Sequence, residues 1–271
     1  MIRFLHRLFR TRLALVNGIA AGGGYLLLPA AVDPSALAAV VVGVALLAAG
    51  SSALNQLLER DLDLLMTRTC RRPLPRGDLT PRGALMAGSF SLLAGLLLLA
   101  RYGLLPILLG GFAVVWYLGI YTPLKRRTPF ALPLGAVCGA LPPVIGWCIA
   151  GGDLLDFRVI LLAGLFYLWQ VPHFWLFQRR HGDDYRRAGI PLFHAGAPGG
   201  VPGGMRIWGF ALVAAVMLLP ALGVVGSWGA ICCAVVSVPL LFVSGLRCES
   251  TFFSYLNFFP VLVTLILLIE T

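Results

Sequence analysis

Charge is the scarcest property of this sequence: 12% of its 271 residues are charged, against about 25% in an ordinary soluble domain. That deficit, together with 59% apolar residues and a mean hydropathy of +0.90, excludes a water-soluble globular protein. Any CxxC pair is also missing. The six cysteines are Cys70, Cys138, Cys148, Cys232, Cys233 and Cys248, so neither a structural zinc site nor a redox dithiol is indicated, and they read as small apolar residues. No polar stretch is long enough for a soluble catalytic domain. Any chemistry has to be built from helix ends and the short loops beside them.

What the sequence has in abundance is apolar runs. A spanning helix needs about 20 mostly apolar residues, and nine such windows occur, at 13–32, 36–58, 84–100, 104–121, 132–150, 158–178, 206–225, 228–246 and 252–269. They predict an all-α polytopic membrane protein, a bundle of nine transmembrane helices forming one membrane domain over residues 1–271. The first window follows Arg3, Arg7, Arg10 and Arg12. It is longer than the apolar core of a signal peptide, about 7–15 residues, and reads as a retained helix.

The net charge of +10 would suggest nucleic acid in a soluble protein, but its distribution points to the lipid bilayer instead. With the N-terminus cytoplasmic, 19 of the 21 basic residues fall on one side, and only Arg101 and Arg158 fall on the other. The positive-inside rule therefore predicts a cytoplasmic N-terminus and, with nine helices, a C-terminus outside.

Acidic residues number only eleven, and six sit in two basic loops on that same side: Glu59, Asp61, Asp63 and Asp78, then Asp183 and Asp184. The loops are four helices apart, which hints at an internal duplication. Asn55, Glu59 and Asp63 recur at i, i+4 and i+8, one stripe of a helix. Like charges at that spacing repel, and acids near a helix C-terminus oppose its dipole, so something cationic must compensate. Arg68, Arg71 and Arg72 satisfy that requirement as a salt-bridged loop. A divalent cation is the alternative, since Mg²⁺ takes carboxylate and amide oxygens and is shared with substrate phosphates, which the arginines would grip bidentately.

Two further runs lie on this face. Residues 121–128 (YTPLKRRT) carry the only lysine, Lys125, beside Arg126 and Arg127, which is either a topology signal or a phosphate site. Residues 169–175 (WQVPHFW) place His173 among aromatics within an apolar window. A packed histidine and a functional one are both open readings.

Residues 55–75 (NQLLERDLDLLMTRTCRRPLP), 121–147 (YTPLKRRTPFALPLGAVCGALPPVIGW) and 169–191 (WQVPHFWLFQRRHGDDYRRAGIP), with a weaker stretch at 11–17, together resemble the UbiA-like intramembrane prenyltransferases, and among these the branch that farnesylates haem. The segments occur in the family's order. The resemblance implies a cytoplasm-facing active site that moves a farnesyl group from farnesyl diphosphate to a vinyl group of haem b, with Mg²⁺ as cofactor. The family's NxxxDxxxD falls on Asn55, Glu59 and Asp63, with Glu in place of the first Asp.

Carried over by position, Asn55, Glu59, Asp63 and Asp184 become catalytic and metal-binding residues, and Arg68, Arg71, Arg72, Lys125 and Arg126 hold the diphosphate. Tyr121, His173, Phe174, Trp175 and Tyr185 line the haem or prenyl pocket. His173 lies eleven residues before Asp184, about 16 Å deeper if the helix runs unbroken, a depth suited to binding haem iron. The same resemblance implies the cytoplasmic (inner) membrane as location and admits partners of haem-oxidase assembly. Ala131, where the family often has Asn, and Leu192-Phe193-His194, where it has Met-Leu-Pro, depart from the pattern. An aromatic or quinone-precursor acceptor, or a small-solute transporter, are the competing readings. A transporter would be expected to place its charges at the midplane; here they collect at one edge.

Overall fold

The computed structural model describes residues 2–28, 31–193, 203–245 and 249–270. Arg247, Cys248 and His194 lie outside them. In chain order the helices are α1 (Ile2–Phe9), α2 (Thr11–Leu26), α3 (Pro34–Leu58), α4 (Arg60–Leu65), α5 (Pro81–Ala100), α6 (Leu104–Val115), α7 (Thr122–Leu124), α8 (Ala131–Ile149), α9 (Phe157–Arg180), α10 (Gly182–Arg187), α11 (Gly203–Ala221), α12 (Ser227–Gly245) and α13 (Glu249–Glu270). Between α6 and α7 the chain continues as a π-helical turn, Trp116–Tyr121.

Helix starts follow local chemistry. Asp33 accepts the N–H of Ser35 (2.8 Å) ahead of Pro34, and Thr80 accepts that of Gly83 (3.1 Å) ahead of Pro81. Asp156 caps α9 through the N–H of Arg158 (2.9 Å). Each side chain satisfies a donor that the first helical turn leaves without a backbone partner, and proline at the first position gives up an N–H that would have been orphaned anyway.

Each of the nine apolar windows holds one helix. Among the described residues seven helices are long and apolar enough to cross a membrane: α3, α5, Leu104–Leu124, α8, α9, Gly204–Ala221 and Glu249–Ile269. The expected count of nine spans is not reached on that measure. The 16-residue α2 carries Arg12, Asn17 and four glycines, and α12 counts over Ser227–Leu241 as a shorter apolar helix. Exposed apolar side chains such as Met86, Phe90 and Val235 cover the outside of the helices, as an integral membrane protein requires when lipid replaces water as solvent.

Packing between the helices depends on close backbone approach. A Cβ on Gly24 would sit 1.9 Å from the carbonyl oxygen of Pro143, and one on Gly146 would sit 1.8 Å from that of Ala21. Helices α2 and α8 therefore touch backbone to backbone, the small-residue packing that membrane helices use where no hydrophobic effect drives them together. One core, with Phe166, Leu212, Phe252 and Phe259, joins α9, α11 and α13. A second, with Val40, Leu47, Leu99 and Ile145, joins α3, α5 and α8. Between these cores α2, α3, α6, α8 and α9 enclose a cavity of about 1350 Å³ including its open mouth.

Candidate active site

The cavity is a shaft with a charged mouth. Its α3 wall is one stripe, Val44, Leu47, Ala48, Ser51, Ser52, Asn55 and, just past the helix end, Glu59, the spacing that a helix gives to a single face. The helix breaks at Glu59 (φ −111°, ψ 16°). Even so, the N–H of Glu59 reaches the carbonyl of Asn55 (2.9 Å) and that of Asp63 reaches the carbonyl of Glu59 (2.8 Å). The predicted i, i+4, i+8 stripe thus survives the break, and all three residues are buried at the mouth.

The cations that the acidic stripe demanded are present. Lys125 Nζ lies 2.6 Å from Glu59 Oε2, and Arg72 donates to both oxygens of Asp63 at 2.7 and 2.9 Å. Asn55 gives its amide N–H to the Thr122 hydroxyl (3.0 Å), which in turn donates to the carbonyl of Tyr117 (2.8 Å). That carbonyl also takes the N–H of Thr122, five residues on, in the π-helical turn. The wider turn stacks Tyr117 on Tyr121, ring centroids 5.7 Å apart, and both line the cavity. A π-turn at such a place is a common mark of function. Burial pushes the Lys125 ammonium below its ordinary pKa, and the Glu59 carboxylate works against that shift.

Asp184 is not in the cavity wall. It is buried, and its two oxygens accept the backbone N–H groups of Thr67 (2.9 Å) and Arg68 (3.1 Å), with Arg187 paired on the outer side. Burial disfavours its charge, but these N–H donors hold its pKa below the ordinary value of 3.8. Its carboxylate thus tethers the loop that carries Arg68 and Arg72, while the Thr69 hydroxyl fixes the other side by donating to the carbonyl of Asp63 (3.0 Å). Asp184, expected beside Asn55, Glu59 and Asp63 at the metal, is thus held by the loop backbone and Arg187 and does not line the cavity with them.

Other expected residues separate in the same way. Arg68, Arg72, Lys125, Tyr121, Phe174 and Tyr185 line the cavity. Arg126 does not; it pairs with Asp61 (3.0 Å) and the carbonyl of Leu58 (2.8 Å) outside the mouth. Arg71 is exposed, away from the lining, and its carbonyl takes Arg7 (3.4 Å). His173 does not line the cavity: it is stacked between Trp169 (5.1 Å) and Phe253 (5.3 Å), at the edge of the α9 face whose Gln170, Phe174 and Phe177 do. Trp175 packs on Phe193 (5.5 Å). Since α9 stops at Arg180 and α10 begins at Gly182, the unbroken helix assumed for the depth of His173 is also absent.

The sequence reading missed Arg10, Asn17, Tyr117, Gln170 and Phe177, all in the lining. Asn17 and Gln170 carried a usable signal, being polar within apolar runs. Tyr117 stands one turn before Tyr121. Arg10 was counted only as topology charge; it is the break between α1 and α2, with a left-handed backbone (φ 46°) rare outside glycine.

The oxygen donors fit Mg²⁺ rather than a softer metal: an amide and two carboxylates, with Glu59 Oε1 buried and lacking a hydrogen-bond partner. Among the described residues no three His, Cys, Asp or Glu side chains converge as a metal-holding group, so a cation here would complete its shell with water or phosphate oxygens.

Residues 16–251 match the profile described as the UbiA prenyltransferase family. The chain is 59% identical over 264 residues to the protoheme IX farnesyltransferase of Geobacter sulfurreducens, covering 97% of each chain. It is 41% identical over 221 residues to that of Oleidesulfovibrio alaskensis, covering 81% and 78%. Among solved structures, a UbiA homologue from Aeropyrum pernix K1 superposes with a TM-score of 0.78 at 18% identity, over 100% of this chain and 99% of that one. A UbiA homologue from Archaeoglobus fulgidus bound to GPP and Mg²⁺ gives 0.68 at 17% identity, over 97% and 96%.

Proposed function

The chain belongs to the UbiA prenyltransferase family, and we propose that it transfers a farnesyl group from farnesyl diphosphate to a vinyl group of haem b, yielding haem O. The observation that carries this reading is the joining of a cation-and-carboxylate mouth to an apolar shaft, in a chain so similar over its whole length to a relative named for that activity.

In this reading the charged mouth takes the diphosphate. Asn55, Glu59 and Asp63 hold Mg²⁺, which, when bound, neutralises charge on the leaving diphosphate. Arg68, Arg72 and Lys125 supply cationic donors to phosphate oxygens; Arg72 and Lys125 exchange their carboxylate partners for the substrate as it enters. Asp184 acts one step back, by fixing the loop that aims Arg68 and Arg72. The faces of Tyr117, Tyr121 and Phe174 lie along the shaft where the allylic cation forms, and each contributes about 0.5–2 kcal/mol of cation–π stabilisation. The apolar shaft keeps water from the cation until the vinyl carbon attacks.

The allylic C–O bond breaks, a C–C bond forms to the terminal vinyl carbon, and water adds to the other, giving its proton up to the diphosphate. Ionisation needs no general base. The whole of residues 1–271 serves as a single membrane domain in the cytoplasmic (inner) membrane, its N-terminus and charged mouth on the cytoplasmic side, where the enzyme is reached by proteins of haem-oxidase assembly.

Membranes containing the protein, incubated with haem b, farnesyl diphosphate and Mg²⁺, should yield a haem heavier by a farnesyl group and a hydroxyl group on mass spectrometry. An unmodified haem pool beside a working control enzyme would overturn the reading. A prenylated 4-hydroxybenzoate or quinone precursor in a parallel incubation would replace it by the aromatic-acceptor reading.

A further inference from the structure

The proposed reaction makes two opposed demands on water. The shaft has to keep water from the allylic cation, yet the product carries a hydroxyl group whose oxygen comes from water. Both demands are met when a single water is held inside the filled cavity, beyond the ionising carbon and beside the vinyl carbon that the new C–C bond leaves positive. A buried water needs about two to four polar partners, and a lining with Val44, Leu47, Ala48, Val114 and Ile145 offers few.

Gln170 is the clearest of them. It lies in the apolar run of α9 and lines the cavity, and its Oε1 is buried with no hydrogen-bond partner among the described residues. A buried acceptor left without a donor is costly to a fold and calls for a reason. The amide also has a seat of its own: a Cβ on Gly139 of α8 would overlap Gln170 Oε1 and come within 3.1 Å of Nε2. The head group therefore rests where only glycine leaves room.

Its depth follows from the two helices that hold it. One turn nearer the mouth on α8, a Cβ on Gly135 would lie 2.6 Å from the Tyr121 ring, and Lys125 Nζ stands 5.5 Å from the centroid of that ring. Four residues of helical rise put the amide about 6 Å deeper than the ring. On α9 the Arg68 guanidinium lies over the Phe177 ring at 4.9 Å, and Gln170 is seven residues further in, about 10 Å below the cations of the mouth. Ser51 and Ser52 line the cavity one turn in from Asn55, which is tied to Thr122 beside Tyr121 (3.0 Å), so their hydroxyls stand at a comparable depth.

That depth suits the second half of the reaction. With the ionising carbon at the Tyr121 face, the new C–C bond and the old vinyl bond, about 1.5 Å each, and an approach of about 3 Å by the attacking oxygen place the water about 5 Å further in. We infer that the Gln170 amide, seated on Gly139, holds the water molecule that adds to the haem vinyl carbon. The inference rests on the proposed farnesylation of haem. Gln170 Oε1 accepts a hydrogen bond from the water and turns an oxygen lone pair toward the cationic carbon; the C–O bond forms, and the proton that the oxygen then sheds ends on the diphosphate. Without a held water the same cation gives a proton of its neighbouring CH₂ group to the diphosphate and becomes an alkene. Gln170 thus decides between an alcohol and an alkene lighter by one water.

The test incubates membranes holding each variant with haem b, farnesyl diphosphate and Mg²⁺, and reads by mass the ratio of hydroxylated to alkene haem among the farnesylated products. Gln170→Leu should lower that ratio about tenfold, the worth of one hydrogen bond to the water. Gln170→Glu, whose uncharged form keeps an acceptor oxygen and a donor in the same shape, should keep the wild-type ratio. Gly139→Ala should lower it as Gln170→Leu does, by displacing the amide. A wild-type ratio in Gln170→Leu would overturn the water site, and so would an equal fall in Gln170→Glu, which would make the position one of packing alone. If Gln170→Leu does not accumulate, Gly139→Ala decides in its place, because only the end of a flexible side chain has to move there. No farnesylated haem from the wild-type protein would overturn the acceptor and the water site together, whereas farnesylated haem with an unmoved ratio would overturn the water site alone, so the two readings fail separately.

Discussion

Replacing Lys125 with Met should make the stability of this protein depend on Mg²⁺. Among the described residues the Lys125 ammonium is the one hydrogen-bond partner of the Glu59 carboxylate, at 2.6 Å, and Glu59 Oε1 lacks one. The pair is mostly buried, with side-chain exposures of 18% and 6%. At an effective dielectric of about 20 the gross attraction is about 6 kcal/mol. Much of that offsets desolvation, so the measurable quantity is the cost of stranding Glu59, about 3 kcal/mol, at the lower edge for breaking a buried pair because part of the lysine is wet. That corresponds to a fall of about 5–10 °C in the thermal midpoint. The assay is thermal unfolding in detergent with chelator and with Mg²⁺. Lys125→Met should fall in chelator and recover with Mg²⁺ as the metal takes over the charge of Glu59, and Glu59→Gln/Lys125→Met should need no metal. Prenyl transfer by Lys125→Met should stay low in both conditions, because the phosphate contact is lost. A Lys125→Met protein that is as stable as wild type in chelator, or is not rescued by Mg²⁺, would refute the placement of Glu59 as a ligand paired with Lys125.

Asp184→Asn should raise the apparent KM for farnesyl diphosphate about tenfold, the worth of one charge-assisted contact to the loop, while leaving the Mg²⁺ concentration for half-maximal rate unchanged; a shifted Mg²⁺ requirement would return Asp184 to the metal. Because the folded pKa of Asp184 is depressed below 3.8, its tether is fully present above that pH and is lost only as pH falls further. Proteolytic nicking of residues 66–72 should therefore stay constant from pH 7 to about 4 and rise below it. Arg72→Ala should cut transfer sharply, whereas Arg71→Ala, a change at an exposed residue away from the cavity, should leave kcat/KM near wild type; equal losses would mean general disturbance of the loop. His173→Phe should keep the stack between Trp169 and Phe253 and leave the spectrum of added haem unchanged. A shifted Soret band would make the imidazole an iron ligand after all.

Composition alone decided that this chain lives in a bilayer, because too few charges remain to solvate a surface, and apolar runs located the seven helices that are long and apolar enough to span it among the described residues. The mouth was legible for a similar reason: charge is so costly near lipid that a stripe such as Asn55, Glu59 and Asp63 beside arginines has few explanations, and the short i, i+4 spacing makes its geometry local. What the sequence could not decide is which way a residue faces once several helices meet. Asp184 and Glu59 look alike in sequence, yet one is consumed by the backbone of residues 67 and 68 and the other faces the shaft, a difference set by a loop more than a hundred positions away. His173 and Gln170 are three residues apart on α9, and the rotation of that helix against α8 and α13 sends one into an aromatic stack and the other to the cavity. The close approach of the helices belongs wholly to the tertiary structure. Leu47 comes to rest on Gly95 and Gly110 of α5 and α6, and glycine spacing along one helix says nothing about which neighbour will come to rest on it.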